Sequence, residues 1–226
     1  MKAILIGATG LVGTEIAKIL LDDQRFSEVR ILARRSSGLS HPKLQEMLID
    51  FDKPLSWAAD IVGDVLFSAL GTTLKQAGSK AVQYHVDHDY QFEIAKAAKA
   101  NGVQRCILVS SKGANSRSPF FYMRMKGEIE NHVAQLGFEA AYFVRPGPLD
   151  GRKSPTLSEK LMLYGLNALP KFQGGESYWP IQGKDVARVC VECAFDARSG
   201  TLILEPKEIF SRLNTYHKEQ SHRSAL

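Results

Sequence analysis

The opening stretch MKAILIGATGLVGTEIAKILLD does most to restrict what this 226-residue chain can become. KAILI (2–6) is an apolar run of the length of a buried strand. LVGTEIAKILLD (11–22) repeats its apolar residues at three and four, the period of a helix. Between them Gly7, Gly10 and Gly13 form G-x-x-G-x-x-G. A chain with 18 glycines holds about 0.1 such matches by chance, so the pattern calls for an explanation. One glycine makes a tight turn, a second lets the backbone approach a pyrophosphate, and a third lets the helix pack closely on the strand. With Thr9, Leu11 and Val12 they form a turn whose helix N-terminus offers free N–H groups and a positive dipole end to an anion.

The alternation continues downstream. EVRILA (28–33), QEMLIDF (45–51), DVLFSAL (64–70), RCILVSS (105–111) and AAYFVRP (140–146) read as strands. Helices are expected at 88–100, with Asp87 as N-cap and Asn101-Gly102 as stop, and at 120–136. Beyond 150 the pattern loosens to a helix at 156–169, a helix at 184–195, a strand at 201–206 and a frayed tail from 214. The expected fold is α/β: one Rossmann-type doubly wound parallel sheet over 1–226, flanked by helices on both faces. Residues 150–182 are expected to form a small substrate-side insertion. Ligands of such a sheet lie beyond the carboxyl ends of its strands.

Composition narrows the function. The chain is 44% apolar and 23% charged, ordinary for a globular protein. It has no apolar run near the ~18 residues of a membrane span, and its N-terminal run is too short for a signal peptide. We therefore expect a cytoplasmic protein with no membrane partner. Cys190 and Cys193 form C-x-x-C inside a helical pattern, without a second pair at zinc spacing; they read as buried helix thiols. The formal charge of +5 comes without a zinc finger, an RNA-recognition signature or a basic helix with aromatic platforms, so no nucleic-acid partner is expected. No feature specifies an oligomeric state.

The strand ends carry the chemistry. An acid after the second strand would read the 2′-hydroxyl of NAD; an Arg accommodates the 2′-phosphate of NADP. Arg34 and Arg35 stand there, and guanidinium forks suit phosphate. After the third strand, Asp50 suits an adenine amine and Phe51 its ring, although Phe51 reads equally as core. After the fifth, Ser110 and Ser111 precede Tyr122 and, one helical turn later, Lys126. A tyrosine with a pKa near 10 is a poor proton donor at neutral pH. An ammonium one turn away on the same face favours its phenolate. A serine at the strand end could hold a substrate carbonyl beside the phenol. The spacing Y-x-x-x-K alone has about half a match by chance in this composition, so it is the order of all these features that points to chemistry.

This constellation resembles the short-chain dehydrogenase/reductase superfamily over about residues 1–150, through GATGLVG, SS (110–111), YMRMK (122–126) and RPG (145–147). FSALGTT (67–73), AGSKAVQYHVDHDY (77–90), SSKGAN (110–115), YMRMKGEIE (122–130) and VRPGPL (144–149) are similar to the Tat-interacting-protein group of its atypical members. The resemblance implies NADP(H) as cofactor, Tyr122 as acid/base, and Lys126 as its partner and ribose ligand. It puts the serine role on Ser111, with Ser110 as runner-up, and sets Leu70, Gly71 and Thr72 against the cofactor. It puts Pro146 and Gly147 beside the carboxamide and Arg152 at a phosphate or as a loop cation. N-N-A-G is absent, so an asparagine-based proton relay is not implied.

His85, Asp87, His88 and Asp89 have metal-ligand chemistry but fan around a helix axis, so no metal is expected. Lys112, Arg117, Arg124, Arg145 and Arg152 could favour an anionic small-molecule substrate, or be separate solvated charges. The expected activity is NADPH-dependent reduction of a small carbonyl-type substrate. The alternative is an NADPH-binding regulatory or sensor protein with little turnover.

Overall fold

The computed structural model describes residues 1–150 and 179–223, with side chains to Tyr216. Seven parallel strands form one sheet: β1 (Lys2–Ile6), β2 (Glu28–Ala33), β3 (Leu44–Leu48), β4 (Val65–Ser68), β5 (Arg105–Val109), β6 (Ala140–Val144) and β9 (Gly200–Leu204). Their order is β3-β2-β1-β4-β5-β6-β9. Two-residue strands β7 (Leu149–Asp150) and β8 (Ile181–Gln182) pair outside the sheet. The helices are α1 (Leu11–Asp22), α2 (Leu74–Ala77), α3 (Lys80–Tyr84), α4 (Tyr90–Ala100), α5 (Phe121–Gln135), α6 (Gly183–Cys193) and α7 (Pro206–Arg223); one turn of π-helix, His85–Asp89, joins α3 to α4.

Successive side chains of a strand point to opposite faces, and both faces are covered. Leu5, Ile31, Phe67, Ile107 and Tyr142 join the core under α1, α6 and α7. Ile4, Leu32, Leu66, Leu108 and Phe143 join the core under α4 and α5. All five residues of β6 are buried, as expected of a parallel strand covered on both sides. Cys190 and Cys193 are buried on α6.

Three expectations need correction. The third strand ends at Leu48, because Phe51 turns inward against Tyr90 (centroids 5.1 Å apart) and Trp57 (6.5 Å). Asp87 is no N-cap: the helical path begins at Lys80, where Ser79 Oγ accepts the Val82 N–H at 3.2 Å. The tail is a helix to Arg223, anchored by buried Ile209 and Leu213. The helix expected at 156–169, Arg152 and most of the 150–182 insertion lie outside the described residues.

The order reverses between β1 and β4, which opens a crevice beyond their carboxyl ends. The turn after β1 and the loop after β4 meet there.

Candidate active site

The glycine turn is built by close approach. Gly7 has φ +84°, and a Cβ on it would lie 2.4 Å from the Ala69 carbonyl at the end of β4. A Cβ on Gly13 would come within 2.1 Å of Gly7 O. Gly10 is different: its φ is −84°, it is exposed, and its nearest obstacle is Gly7 O at 3.2 Å. Gly10 caps α1 without a side chain, and no acid stands in the first turn. The first amides of α1, at Leu11, Val12 and Gly13, therefore face no carboxylate of their own helix. Thr9 is exposed on the rim, while Val12 is buried and Leu11 half-buried. Gly183 lets α6 close on this end of α1, since a Cβ there would sit 2.9 Å from Leu11 Cγ.

Arg34 and Arg35 are exposed beyond β2. The next residues are clamped: Glu46 accepts Ser36 Oγ and the Ser37 N–H, both at 2.6 Å. Hydrogen bonds from His85 Nε2 (2.7 Å) and Tyr90 OH (2.9 Å) hold the Asp52 carboxyl below its usual range, and Arg34 adds a smaller pull. Asp50 is exposed, with Lys53 at 3.1 Å. Phe51 is 5% exposed, so its ring belongs to the core and not to an adenine wall.

Beyond β4, three polar residues of the following helical segment hold the last residue of the strand and the loop Leu70, Gly71, Thr72. The Thr72 N–H donates to Asp87 Oδ1 at 2.6 Å, and Gln83 Nε2 donates to Thr72 O at 3.2 Å. Ser68 Oγ donates to Gln91 Oε1 at 2.6 Å, and the Gln91 amide donates to the Asp87 carbonyl. Sequence reasoning missed this set. Its signal is the spacing of four, which lines Gln83, Asp87 and Gln91 along one helix face. Burial pushes the Asp87 carboxyl up to about 6, while the Lys126 ammonium and the Thr72 N–H pull the other way. The other members of the HVDHD stretch bond to their neighbours: His85 to Asp52 and Asp89, and His88 to Asp89 and His132.

The two serines after β5 differ. Ser110 is buried, and its hydroxyl donates to Glu130, which is ion-paired with Arg145 (Nε to Oε1 3.0 Å); Arg145 also reaches Glu205 at 2.8 Å. Ser111 is half-buried, with one long contact from its hydroxyl to Lys112 O at 3.3 Å. Tyr122 is 38% exposed and Lys126 3% exposed, one turn apart on α5. Gly127 brings that helix against the loop after β5, where a Cβ would come within 2.1 Å of Ser116 N. Buried Pro146 accepts the Lys112 N–H at 3.0 Å, tying the loops after β5 and β6 together, with Gly147 next in line. Of the five cations considered for an anionic substrate, Arg145 is committed to Glu130 and Glu205, and Arg124 donates to Ser118 O at 2.9 Å.

A doubly wound parallel sheet, a switch-point crevice and an open helix N-terminus above a glycine turn define a dinucleotide-binding Rossmann domain. The chain matches the family described as NAD(P)H-binding over residues 7–197, and it belongs to that family. It is 33% identical over 216 residues to "Protein FMP52, mitochondrial" of Candida albicans, covering 89% of this chain and 91% of that protein. The FMP52 protein of Eremothecium gossypii is 35% identical over 219 residues, 93% of this chain and 96% of its own length. Among solved structures, a UDP-N-acetylglucosamine 4-epimerase from Methanobrevibacter ruminantium M1 superimposes with a TM-score of 0.66 at 19% identity, over 90% of this chain and 76% of that one. WbmH of Bordetella bronchiseptica, in complex with NAD+, gives 0.65 at 16% identity over 92% and 78%. At such identities the likeness is one of fold. The FMP52 relatives are named as mitochondrial, which overturns the expectation of a cytoplasmic protein.

Proposed function

We propose that this chain is an NADP(H)-dependent oxidoreductase that reduces a small carbonyl-type substrate. The observation that carries the reading is the pair on α5: a half-exposed Tyr122 one turn from a buried Lys126, beside the switch-point crevice. The crevice fits a dinucleotide, because the first amides of α1 meet no side-chain cap and no acid of their own turn, and Gly10 is exposed beside them. The turn from Gly7 to Gly13 holds the pyrophosphate, Arg34 and Arg35 the 2′-phosphate, Asp50 the adenine amine, and Leu70 to Thr72 with Pro146 the nicotinamide half. A bound NADPH supplies hydride. The phenol of Tyr122 gives its proton to the carbonyl oxygen. Lys126 binds the ribose hydroxyls, one turn from the phenol. Ser111, rather than the committed Ser110, donates a hydrogen bond to the same oxygen. The similarity of SSKGAN and YMRMKGEIE to the Tat-interacting-protein group supports the finer placement within the short-chain dehydrogenases.

Tyr122→Phe tests the mechanism. It keeps the ring, so calorimetric NADPH affinity should stay within a few-fold. Reduction of a panel of aldehydes, ketones and quinones should fall by the ~10²–10⁴ typical of losing a general acid. Retained activity would mean that another group gives the proton. Tight NADPH binding with no turnover of any panel member would favour a sensor.

A further inference from the structure

We propose that Asp87 is a positioning residue that holds the Leu70–Thr72 loop and the Lys126 ammonium in one register for the cofactor. The proposal rests on the reading of Lys126 given above.

A carboxylate 1% exposed to solvent is costly to keep ionised, and this one has no partner on its own helix that repays the cost. Its partners come from two other elements. Oδ1 accepts the Thr72 N–H at 2.6 Å. Oδ2 lies under Gly71, where a Cβ would come to 3.7 Å. The π-helical turn that carries Asp87 packs against α5, and Lys126 of that helix, 3% exposed, attracts the carboxylate from beyond ion-pair contact. An asparagine could accept the Thr72 N–H equally well, so the hydrogen bond alone does not call for an acid. The charge answers Lys126, a buried cation with no ion-pair partner of its own within contact distance among the described residues. The flanking residues brace the same region: Gln83 holds Thr72 O in the loop, and Gln91 holds Ser68 at the end of β4. The π-helical turn at His85–Asp89 thus sits at the join between the cofactor loop and the catalytic helix.

The test compares wild type, Asp87→Asn, Lys126→Met and the double variant of the full chain, by NADPH calorimetry and by melting without ligand. Asp87→Asn should melt above wild type, because a buried charge is gone. It should still bind NADPH about tenfold more weakly, the size of one coupled contact. Removing a negative charge beside an anionic ligand would by itself strengthen binding, so a loss reports positioning. In the Lys126→Met background, Asp87→Asn should raise the melting temperature more than it does in wild type, since there the carboxylate has lost the attraction of that cation. It should cost no further NADPH affinity there. Unchanged or tighter NADPH binding by Asp87→Asn, or an equal melting change in both backgrounds, overturns the proposal. If Lys126→Met does not fold, the NADPH titration of Asp87→Asn alone decides. If wild type binds no NADPH, the reading of the site fails, and the melting comparison still decides whether Asp87 and Lys126 act as a pair.

Discussion

Gly7, Gly10 and Gly13 look equivalent in the sequence, but an added methyl group meets something different at each. At Gly13 it would overlap a backbone oxygen at 2.1 Å, where neither the strand nor the helix can give way cheaply. At Gly10 the nearest contact is a backbone oxygen at 3.2 Å, φ is ordinary, and the residue is exposed. Gly13→Ala should therefore cost about 3 kcal/mol through overpacking, a fall of roughly 6–12 °C in melting temperature for a chain of this size. Gly10→Val should melt close to wild type and lose NADPH binding. If the two variants behave alike in melting and titration, the division of labour is wrong. The three positions were legible in the sequence because a strand, three glycines and a helix follow one another locally. The choice between Ser110 and Ser111 was not, because it depends on Glu130, 20 residues away, and on the arginine that pairs with it.

At the scale of elements, β1, α1 and β2 were readable to the residue, since each is a single run of one period bounded by turn residues. The segment from Leu74 to Asp89 was not, because its helices are short and their inward positions are polar. Gln83, Asp87 and Gln91 face a loop rather than an apolar core, so hydrophobic period does not reveal them. That inversion carries a pH dependence. The Asp87 carboxyl is raised from about 3.9 in an unfolded chain to about 6 in the fold, first by burial. A raised pKa contributes stability that is complete below pH ~4 and is lost as pH climbs through ~6, for a total of about 3 kcal/mol. Asparagine at this position has no such loss. The stability of Asp87→Asn relative to wild type should therefore grow between pH 4 and 6.5 and level off above 7, as read by urea unfolding at each pH. A difference that stays flat across this range would show that the carboxyl titrates at its ordinary value.

For the whole molecule, the parallel sheet gathers the loops after β1, β2 and β4 at one end, so residues far apart in sequence address one elongated ligand. The formal charge of +5 gives that ligand a favourable field, but the choice between two dinucleotides depends on where the cations stand. Arg34 and Arg35 stand just beyond the end of β2, and the residues next to them, Ala33 and Ser36, carry no charge. The acid beside Arg34 is Asp52, already engaged by His85 and Tyr90, so it competes weakly for the guanidinium. On the proposed reading, one charge-assisted contact to the 2′-phosphate, at ~1.5–3 kcal/mol, should give NADPH a tenfold or larger preference over NADH. A ligand that binds only the folded chain raises stability by mass action, so the preference can be read from melting alone. At equal saturating concentrations NADPH should raise the melting temperature by roughly 3–6 °C more than NADH. The double variant Arg34→Ala/Arg35→Ala should bring the NADPH curve down onto the NADH curve and leave the NADH shift unchanged, because neither side chain has a phosphate to meet there. Equal shifts in the wild type, or a difference that survives loss of both arginines, would mean that the 2′-phosphate is not read at the end of β2.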